Sequence, residues 1–272
     1  MKKNFAINSV EFGGTDLPII AGPCVIESRD HVLRMAENIK KSTANLGFPL
    51  IFKSSFDKGN RSSYASYRGP GLDEGLRILE EVKKSFDVPL TTDIHDATQA
   101  KPVSEIIDII QIPAFLCRQG EILEAAVATG KTVNVKKGQF MAPWDMKNII
   151  ERVEHVHGEQ LLLTERGTSF GYNNLVSDMR SIPIMQDLGV PVVFDATHSA
   201  QQPGGLGKIT GGTRELIPTL AKAAVAAGCD AIFMEVHDDP ENALSDAATQ
   251  WPLDRLDSLL GSIIKILHTR DK

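Results

Sequence analysis

The chain has 272 residues, of which 42% are hydrophobic and 6% aromatic, and its formal net charge is −6. The acidic balance argues against a general nucleic-acid surface, and no apolar run is long enough to span a bilayer. Three scattered cysteines, and an N-terminus without the apolar centre of a signal peptide, are expected of a protein of the reducing cytoplasm.

The sequence alternates between short apolar runs and longer helical patterns. Eight runs of β-strand type occur at residues 17–24, 49–55, 89–95, 109–115, 132–138, 161–167, 190–199 and 231–237. Apolar residues at helical spacing fill stretches such as 30–47, 72–86 and 215–228, and a last such stretch, 253–267, follows the eighth run. Several of these stretches end in glycine, as helix C-termini commonly do, at Gly47, Gly130, Gly189 and Gly228.

Strands that alternate with helices indicate βαβ units and a parallel sheet. Eight such units in about 250 residues favour an α/β fold of the (β/α)8, or TIM-barrel, type. The alternative is a doubly wound sheet, but the first strand is followed by AGPCVIES rather than by a Gly-rich phosphate loop. We therefore expect residues 1–272 to form a single barrel domain. Residues 1–16 would be an extension, in which residues 4–13 form a short hairpin at the barrel bottom.

Polar side chains end all eight predicted strands, and the active site of such a barrel lies at those ends. The basic residues at or just beyond them predict a pocket for small, phosphorylated anions in an otherwise acidic chain. They are Lys53, Lys58, Arg61, Arg118, Lys136 and Arg166. Ser55, Asp93 and Gln111 lie at the same ends and are expected to contact the same ligands.

A second group at the strand ends consists of Cys24, His198, Glu235 and Asp246. When eight strands close in sequence order, the eighth lies beside the first, so closure brings residues 24 and 235 together. A thiolate, an imidazole and two carboxylates suit Zn, Fe, Mn or Co. No CxxC or HExxH motif supports this set, and the thiol of Cys24 could instead pack in the core or act as a nucleophile.

Long motifs then identify a family. They are KSSFDKGNRSS (53–63), TTDIHD (91–96), QIPAFLCRQ (111–119), VNVKKGQFMAPWDM (133–146), LTERGTSFGYNNLV (163–176), FDATHS (194–199), QQPGG (201–205) and LSDAATQWPL (244–253). Together they closely resemble the 3-deoxy-D-manno-octulosonate 8-phosphate synthases, over about residues 17–268. The related 3-deoxy-arabino-heptulosonate 7-phosphate synthases typically have Lys-Pro-Arg-Thr where this chain has Lys53-Ser54-Ser55. One departure from the octulosonate pattern is Gly59, where alanine is usual.

The resemblance implies condensation of phosphoenolpyruvate with arabinose 5-phosphate, for the inner-core sugar of lipopolysaccharide. It implies that phosphoenolpyruvate is held by Lys53, Lys58, Gln111, Lys136 and Arg166, with backbone groups near Pro113 and Ala114. Asn60, Arg61 and Ser62 would hold the sugar phosphate. Arg118 would reach the site of a neighbouring subunit in a homotetramer, and the loop 199–212 would be a lid.

The family has a metal-free branch with asparagine at the position of Cys24 and a metal-dependent branch with cysteine. The resemblance therefore implies one divalent ion per subunit, bound by Cys24, His198, Glu235 and Asp246, and no organic cofactor. Lys53, Lys58, His198 and Asp246 are the expected catalytic residues, and His198 would touch both metal and substrate. Two alternatives remain: a heptulosonate synthase that uses erythrose 4-phosphate, and a non-catalytic barrel that binds a phosphorylated metabolite. Glu27 has only an expected structural role near the strand end.

Overall fold

The strands of the protein form a parallel barrel and four small additions to it. The computed structural model describes residue 1 and residues 3–59, 66–204 and 211–269. In these ranges the strands, in chain order, are β1 (Phe5–Ile7), β2 (Val10–Phe12), β3 (Ile19–Gly22), β4 (Leu50–Lys53), β5 (Leu90–Asp93), β6 (Ile109–Ile112), β7 (Thr132–Lys136), β8 (Leu161–Glu165), β9 (Thr168–Ser169), β10 (Leu175–Val176), β11 (Val192–Asp195), β12 (Gln201–Gln202), β13 (Gly211–Gly212), β14 (Ala231–His237) and β15 (Trp251–Pro252).

Helices follow the barrel strands as the apolar spacing predicts. They are α1 (Arg29–Asn45), α2 (Leu72–Phe86), α3 (Ala100–Ser104), α4 (Gly120–Ala128), α5 (Lys147–His155), α6 (Ser181–Gln186), α7 (Ile217–Ala226) and α8 (Leu256–Leu267). Helix α1 starts at Ser28, whose hydroxyl accepts the backbone N–H of His31. Gly47 and Gly130 have φ of +75°, the left-handed conformation that favours glycine after a helix. Among the described helices, none combines the length and the apolar character that crossing a membrane requires.

The eight strands β3, β4, β5, β6, β7, β8, β11 and β14 pair in parallel, each with the next along the chain. Strand β14 pairs with β11 on one side and with β3 on the other, which closes the ring. The predicted (β/α)8 barrel is therefore confirmed. Every residue of these strands is buried, because the ring is covered by helices outside and filled by side chains inside.

The predicted N-terminal hairpin is also present and plugs the barrel. Strands β1 and β2 pair antiparallel, with Phe5 opposite Phe12. Their buried side chains alternate with exposed ones and form an apolar cluster with inward-facing residues of six barrel strands. The rings of Phe5 and Phe12 have centroids 5.8 Å apart within this cluster. The hairpin closes the end of the barrel where the strands begin, which leaves the other end for the site.

Candidate active site

The polar strand ends meet because the register of the barrel aligns them. Lys53 is the last residue of β4, Asp93 of β5, Lys136 of β7 and Asp195 of β11. Glu235 in β14 lies opposite Gly22, the last residue of β3. The carboxyl ends of the strands thus carry a ring of charged side chains around one opening.

A cavity of about 260 Å³ lies inside this ring. Its lining residues are Lys53, Lys58, Asp93, His95, Pro113, Ala114, Phe115, Lys136, Gln139, Arg166, His198, Gln201, Pro203, Gly204, Glu235 and Asp246. Four of them are cationic, and they are only 1% (Lys53), 8% (Lys58), 6% (Lys136) and 5% (Arg166) exposed. Buried cations need compensating anions, so this cavity is suited to small anionic ligands.

Asp93 organises the floor of the cavity. It accepts hydrogen bonds from the Ser55 hydroxyl at 2.7 Å and from the Gln111 amide, and Lys58 Nζ lies 3.6 Å away. Burial alone would raise the pKa of Asp93, but Lys58, Lys53 and Lys136 hold it well below its usual value. Asp93 is therefore ionised, while Ser55 and Gln111 lie beneath it and do not line the cavity.

Arg166 lines the cavity and has an unpaired donor. Its Nη2 donates to Gln201 Oε1 at 2.9 Å, whereas its buried Nη1 has no hydrogen-bond partner among the described residues. Burial lowers the pKa of Arg166, and Asp195 and Glu165 partly offset that effect. A guanidinium stays charged even so, and its free edge matches a carboxylate or a phosphate.

The predicted metal ligands come together at one side of the same cavity. One ligand atom from each of Cys24, Glu235 and Asp246 lies within 4.8 Å of the others. The Cys24 Sγ–Asp246 Oδ2 distance is 3.4 Å. His198 Nε2 lies 3.6 Å from Glu235 Oε2 and 3.7 Å from Asp246 Oδ2. Cys24, Glu235 and Asp246 thus form one cluster of ligand atoms, and His198 Nε2 lies beside two of its members.

The donor set fits a divalent cation. Burial raises the pKa of Cys24, and the charges of Asp246 and Glu235 raise it further. A divalent cation bound here would favour the thiolate of Cys24 and offset the mutual repulsion of the Glu235 and Asp246 carboxylates. Glu235 Oε2 is buried and has no hydrogen-bond partner among the described residues, while Oε1 binds Lys53 Nζ at 2.6 Å. A thiolate, imidazole and carboxylates together suit Zn, Fe, Mn or Co rather than Mg or Ca.

Asp195 orients His198, a function that the sequence analysis had not assigned to it. Its Oδ2 lies 2.7 Å from His198 Nδ1 and accepts a hydrogen bond from Lys136 Nζ at 2.6 Å. Its Oδ1 accepts the backbone N–H of His198 at 2.9 Å. A carboxylate at Nδ1 turns Nε2 toward Glu235 and Asp246, as outer carboxylates do for metal-binding histidines.

Some predicted residues lie elsewhere. Arg118 is exposed and lines a second, outer cavity with Phe140, Met141, Asp145, Asn148, Ile149 and Arg152, so it does not reach the central cavity of its own chain. Asn60, Arg61 and Ser62 lie outside the described residues, as do residues 205–210 of the expected lid. Pro113 and Ala114 line the cavity as predicted.

Sequence reasoning missed several residues near the site. Gln139 and Gln201 line the cavity, and Ser245 Oγ lies 2.7 Å from Cys24 Sγ. Gln250 Oε1 accepts the backbone N–H of Cys24 at 3.1 Å. These are neutral side chains on loops or, for Gln201, in the two-residue strand β12, and neither charge nor periodicity marks them. Their only available signal was position, because Gln201, Ser245 and Gln250 fall inside the long motifs 201–205 and 244–253.

Comparison with known proteins agrees with this geometry. The sequence model of the DAHP synthetase I family matches residues 4–267. A 2-dehydro-3-deoxyphosphooctonate aldolase of Trichlorobacter lovleyi is 57% identical over 261 residues, 96% of each chain. Proteins of the same name are 57% identical in Rickettsia bellii, over 93% of each chain, and 55% identical in Geobacter metallireducens, over 96% of each chain. The chain therefore belongs to the DAHP synthetase I family.

Proposed function

We propose that the protein condenses phosphoenolpyruvate with arabinose 5-phosphate and water, giving 3-deoxy-D-manno-octulosonate 8-phosphate and phosphate. The observation that carries the proposal is the cavity with four buried cations at the carboxyl ends of the barrel strands. Relatives that match nearly the whole chain bear the name of an octulosonate-forming aldolase, which agrees with two phosphorylated substrates. The reaction would supply the inner-core sugar of lipopolysaccharide.

The buried cations would hold phosphoenolpyruvate. Lys136 and Arg166 line the cavity and can neutralise its carboxylate and phosphate, together with Lys53 and Lys58, whose ammonium groups lie near Glu235. Carbon C3 of phosphoenolpyruvate then attacks the aldehyde carbon of the sugar, water adds at C2, and phosphate leaves with cleavage of the C–O bond. Fixed positive groups stabilise the charge that develops in these steps.

A divalent metal ion would be held by Cys24, His198, Glu235 and Asp246, whose donor atoms fit it. When bound, the ion would supply Lewis-acid polarisation or orientation of an oxygen of the substrates. His198, held by Asp195, lines both this set and the cavity, so it can contact the sugar as well. Asp246 also lines the cavity and can accept a proton from a sugar hydroxyl or from water.

Phosphate release tests the activity. The purified protein is given phosphoenolpyruvate with arabinose 5-phosphate, or with erythrose 4-phosphate, each before and after exhaustive chelation. We expect release with the five-carbon sugar, its loss on chelation and its recovery when a divalent ion is added. Faster release with erythrose 4-phosphate would select heptulosonate synthesis, and binding of phosphoenolpyruvate without turnover would select a non-catalytic barrel. Full activity in metal-free protein would contradict the metal requirement.

We also propose a homotetramer in which Arg118 serves the site of a neighbouring subunit. Arg118 does not line its own chain's central cavity, and Phe140, which lines the outer cavity with it, is a large apolar side chain that is 59% exposed. An exposed apolar patch is typical of a protein interface. Sedimentation gives the mass of the assembly. Arg118→Ala should then raise the KM for arabinose 5-phosphate and leave the assembly intact, whereas a monomer with wild-type KM would contradict the proposal.

A further inference from the structure

The segment of residues 238–250, between β14 and β15, carries Asp246 to the cavity in a strained conformation. Asp246 has φ of +48°, in the left-handed region that residues other than glycine rarely adopt. Its carbonyl accepts the N–H groups of Thr249 and Gln250, which forms a tight turn. Such a conformation persists where surrounding contacts hold it.

One set of contacts holds the end of the segment from within the site. Gln250 accepts the backbone N–H of Cys24 and donates to the carbonyl of Ser245 at 2.8 Å. Ser245 Oγ lies 2.7 Å from the thiol of Cys24. These bonds tie Ser245, just before Asp246, and Gln250, after it, to the loop that follows β3.

A second contact holds the segment just before Asp246, and it comes from outside the cavity. Glu27 Oε1 accepts the backbone N–H of Leu244 at 2.8 Å and faces His237 Nε2 at 3.2 Å. Glu27 is not among the residues that line the cavity. One carboxylate oxygen thus joins the loop after β3, the end of β14 and the segment 238–250.

We propose that Glu27 is a positioning residue, which fixes the segment 238–250 so that Asp246 faces Cys24 and Glu235. The proposal rests on the metal site proposed above. Without the bond to Leu244, the turn at Asp246 would keep the contacts of Ser245 and Gln250 with Cys24 and the bond from Arg214 to the carbonyl of Ala247. It would lose its tie to Glu27 and, through Glu27, to the end of β14. Asp246 could then move toward ordinary backbone angles, and the distance between its carboxylate and Cys24 would be less tightly fixed.

Glu27, His31 and His237 also place their ligand atoms within 4.8 Å of one another, which raises the question of a second metal site. The protonation of His237 argues against one. The N–H of Asp239 donates to His237 Nδ1 at 2.9 Å, so Nδ1 carries the lone pair and Nε2 carries the proton. That proton points at Glu27, where a metal would need a lone pair. The arrangement therefore serves as a hydrogen-bonded support.

Neighbouring contacts hold His237 and Asp238 in place. The ring of His237 packs against that of His31, with centroids 4.6 Å apart. His31 Nε2 lies 3.0 Å from Asp238 Oδ1, and Arg34 donates to Asp238 Oδ2 at 2.8 Å. Helix α1 thereby anchors the start of the segment, and Glu27 anchors it two residues before Asp246.

Two substitutions of Glu27 separate position from charge. Glu27→Ala removes both hydrogen bonds, whereas Glu27→Gln keeps an oxygen that can accept both. We expect Glu27→Ala to weaken binding of Co(II), measured through the thiolate-to-cobalt absorption band, by roughly tenfold or more, as loss of outer supports does at metal sites. We expect Glu27→Gln to stay within about threefold of wild type, since its geometry is retained. In hydrogen exchange, peptides from 238–250 should open about tenfold faster in Glu27→Ala only.

Asp108 offers a matched control at the other end of the barrel. It too accepts one backbone N–H, from Leu90 at 2.9 Å, and binds one basic side chain, Lys83, at 2.7 Å. Asp108→Ala should lower stability and leave both Co(II) binding and exchange of 238–250 unchanged. The proposal is overturned if Asp108→Ala weakens Co(II) binding as much as Glu27→Ala does. It is also overturned if Glu27→Gln loses as much as Glu27→Ala, or if exchange of 238–250 stays at the wild-type rate.

Failure of the Glu27 proposal can be distinguished from failure of the proposed function. If the wild-type protein binds no Co(II), the metal site is wrong, and the exchange of 238–250 alone then decides whether Glu27 holds the segment. If it binds Co(II) but releases no phosphate from the two substrates, the reaction is wrong and the metal measurements on Glu27 still stand. If both hold, kcat should fall in Glu27→Ala by a larger factor than KM rises.

Discussion

The two ends of the barrel differ in the side chains that they bury. At the end where the strands begin, the hairpin of β1 and β2 fills the opening with apolar side chains, and polar groups such as Asp108 are paired. At the other end, charged groups are buried around a cavity, and Glu235 Oε2, Arg166 Nη1 and Gln139 Oε1 have no hydrogen-bond partners among the described residues. Buried polar atoms without hydrogen-bond partners cost free energy. The hairpin end therefore stabilises the fold, and the cavity end lowers its stability. Substitutions at the two ends should therefore separate stability from activity.

Phe12→Ala should have the largest effect on stability. Phe12 is fully buried in the hairpin cluster, and its removal leaves a void under the barrel. Loss of such a ring costs about 3–5 kcal/mol of unfolding free energy. Urea unfolding measures it. Activity per folded molecule, measured well below the unfolding transition, should stay within about twofold of wild type, because Phe12 does not line the cavity. The cluster reaches the cavity through Phe233, whose ring centroid lies 3.8 Å from Lys136 Nζ. A tenfold loss of kcat would show that the two ends are coupled.

Arg166→Met should lower activity strongly and stability little, which is the reverse of Phe12→Ala. The substitution removes one preorganised donor for an anion, which costs about 10²- to 10³-fold in kcat/KM. Its effect on stability should be within about 1 kcal/mol, because a buried guanidinium with an unpaired edge contributes little net free energy. Phosphate release and urea unfolding on the same preparation give both numbers. A large loss of stability with unchanged activity would show that Arg166 stabilises the fold and does not bind the substrates.

The sequence predicted the barrel well because its strands are buried on both faces. The run of residues 231–237, in which only Glu235 and His237 are polar, coincides with β14. Other runs extend past their strands: 109–115 includes β6 but ends in a 3-10 turn at Ala114–Leu116, where Ala114 is buried and Phe115 is 55% exposed. Apolar residue types alone do not distinguish these positions from the strand. Gly47 and Gly130 could be placed because a left-handed residue after a helix favours glycine strongly.

The charged groups of the site could be predicted from the sequence, whereas the hydrogen bonds that hold them in place could not. Lys53 and Lys136 end strands and Glu235 lies two residues before the end of β14, and the barrel topology alone brings them to one opening. The bond from Leu244 to Glu27 uses a backbone N–H, which every residue except proline carries, so no residue type marks it. Arg118 carries the same charge as Arg166, and composition cannot show that it faces outward to a second cavity.

Asp93→Asn tests how far charge stabilises the end that carries the cavity. Burial would raise the pKa of Asp93, but the surrounding lysines hold it well below its usual value in the folded protein. A carboxylate with a lowered pKa stabilises the fold above its unfolded pKa of about 3.9, and this contribution is lost as the pH falls through the folded value. Asp93→Asn should therefore lower the unfolding free energy by about 3 kcal/mol.

Urea midpoints of Asp93→Asn and wild type, compared between pH 8 and pH 3, check this sign. The difference should be constant from pH 8 to about pH 5 and should shrink only in the most acidic samples. A difference that already vanishes near pH 6 would mean that Asp93 titrates near neutrality. The lysines would then fail to hold its charge.

The smallest expected difference between the two ends comes from Gly47→Ala at the hairpin end and Gly59→Ala at the cavity end. At Gly47, after α1, an added Cβ meets nothing within 4 Å, but φ is +75°. Gly47→Ala should therefore cost about 1 kcal/mol of stability through backbone strain alone and leave kinetics unchanged. At Gly59, an added Cβ lies 3.0 Å from Cδ2 of His95, a ring that lines the cavity.

Gly59→Ala should act through that ring. The alanine removes freedom from the unfolded chain, which is worth about 0.4–1 kcal/mol, and the ring of His95 moves by a few tenths of an ångström to make room. We therefore expect unfolding free energy equal to or above that of wild type and a change in KM for one substrate of about twofold. Phosphate-release kinetics and urea unfolding on both variants give the comparison. A loss of stability at Gly59 larger than that at Gly47 would show that His95 cannot move, and that this end is packed as rigidly as the hairpin end.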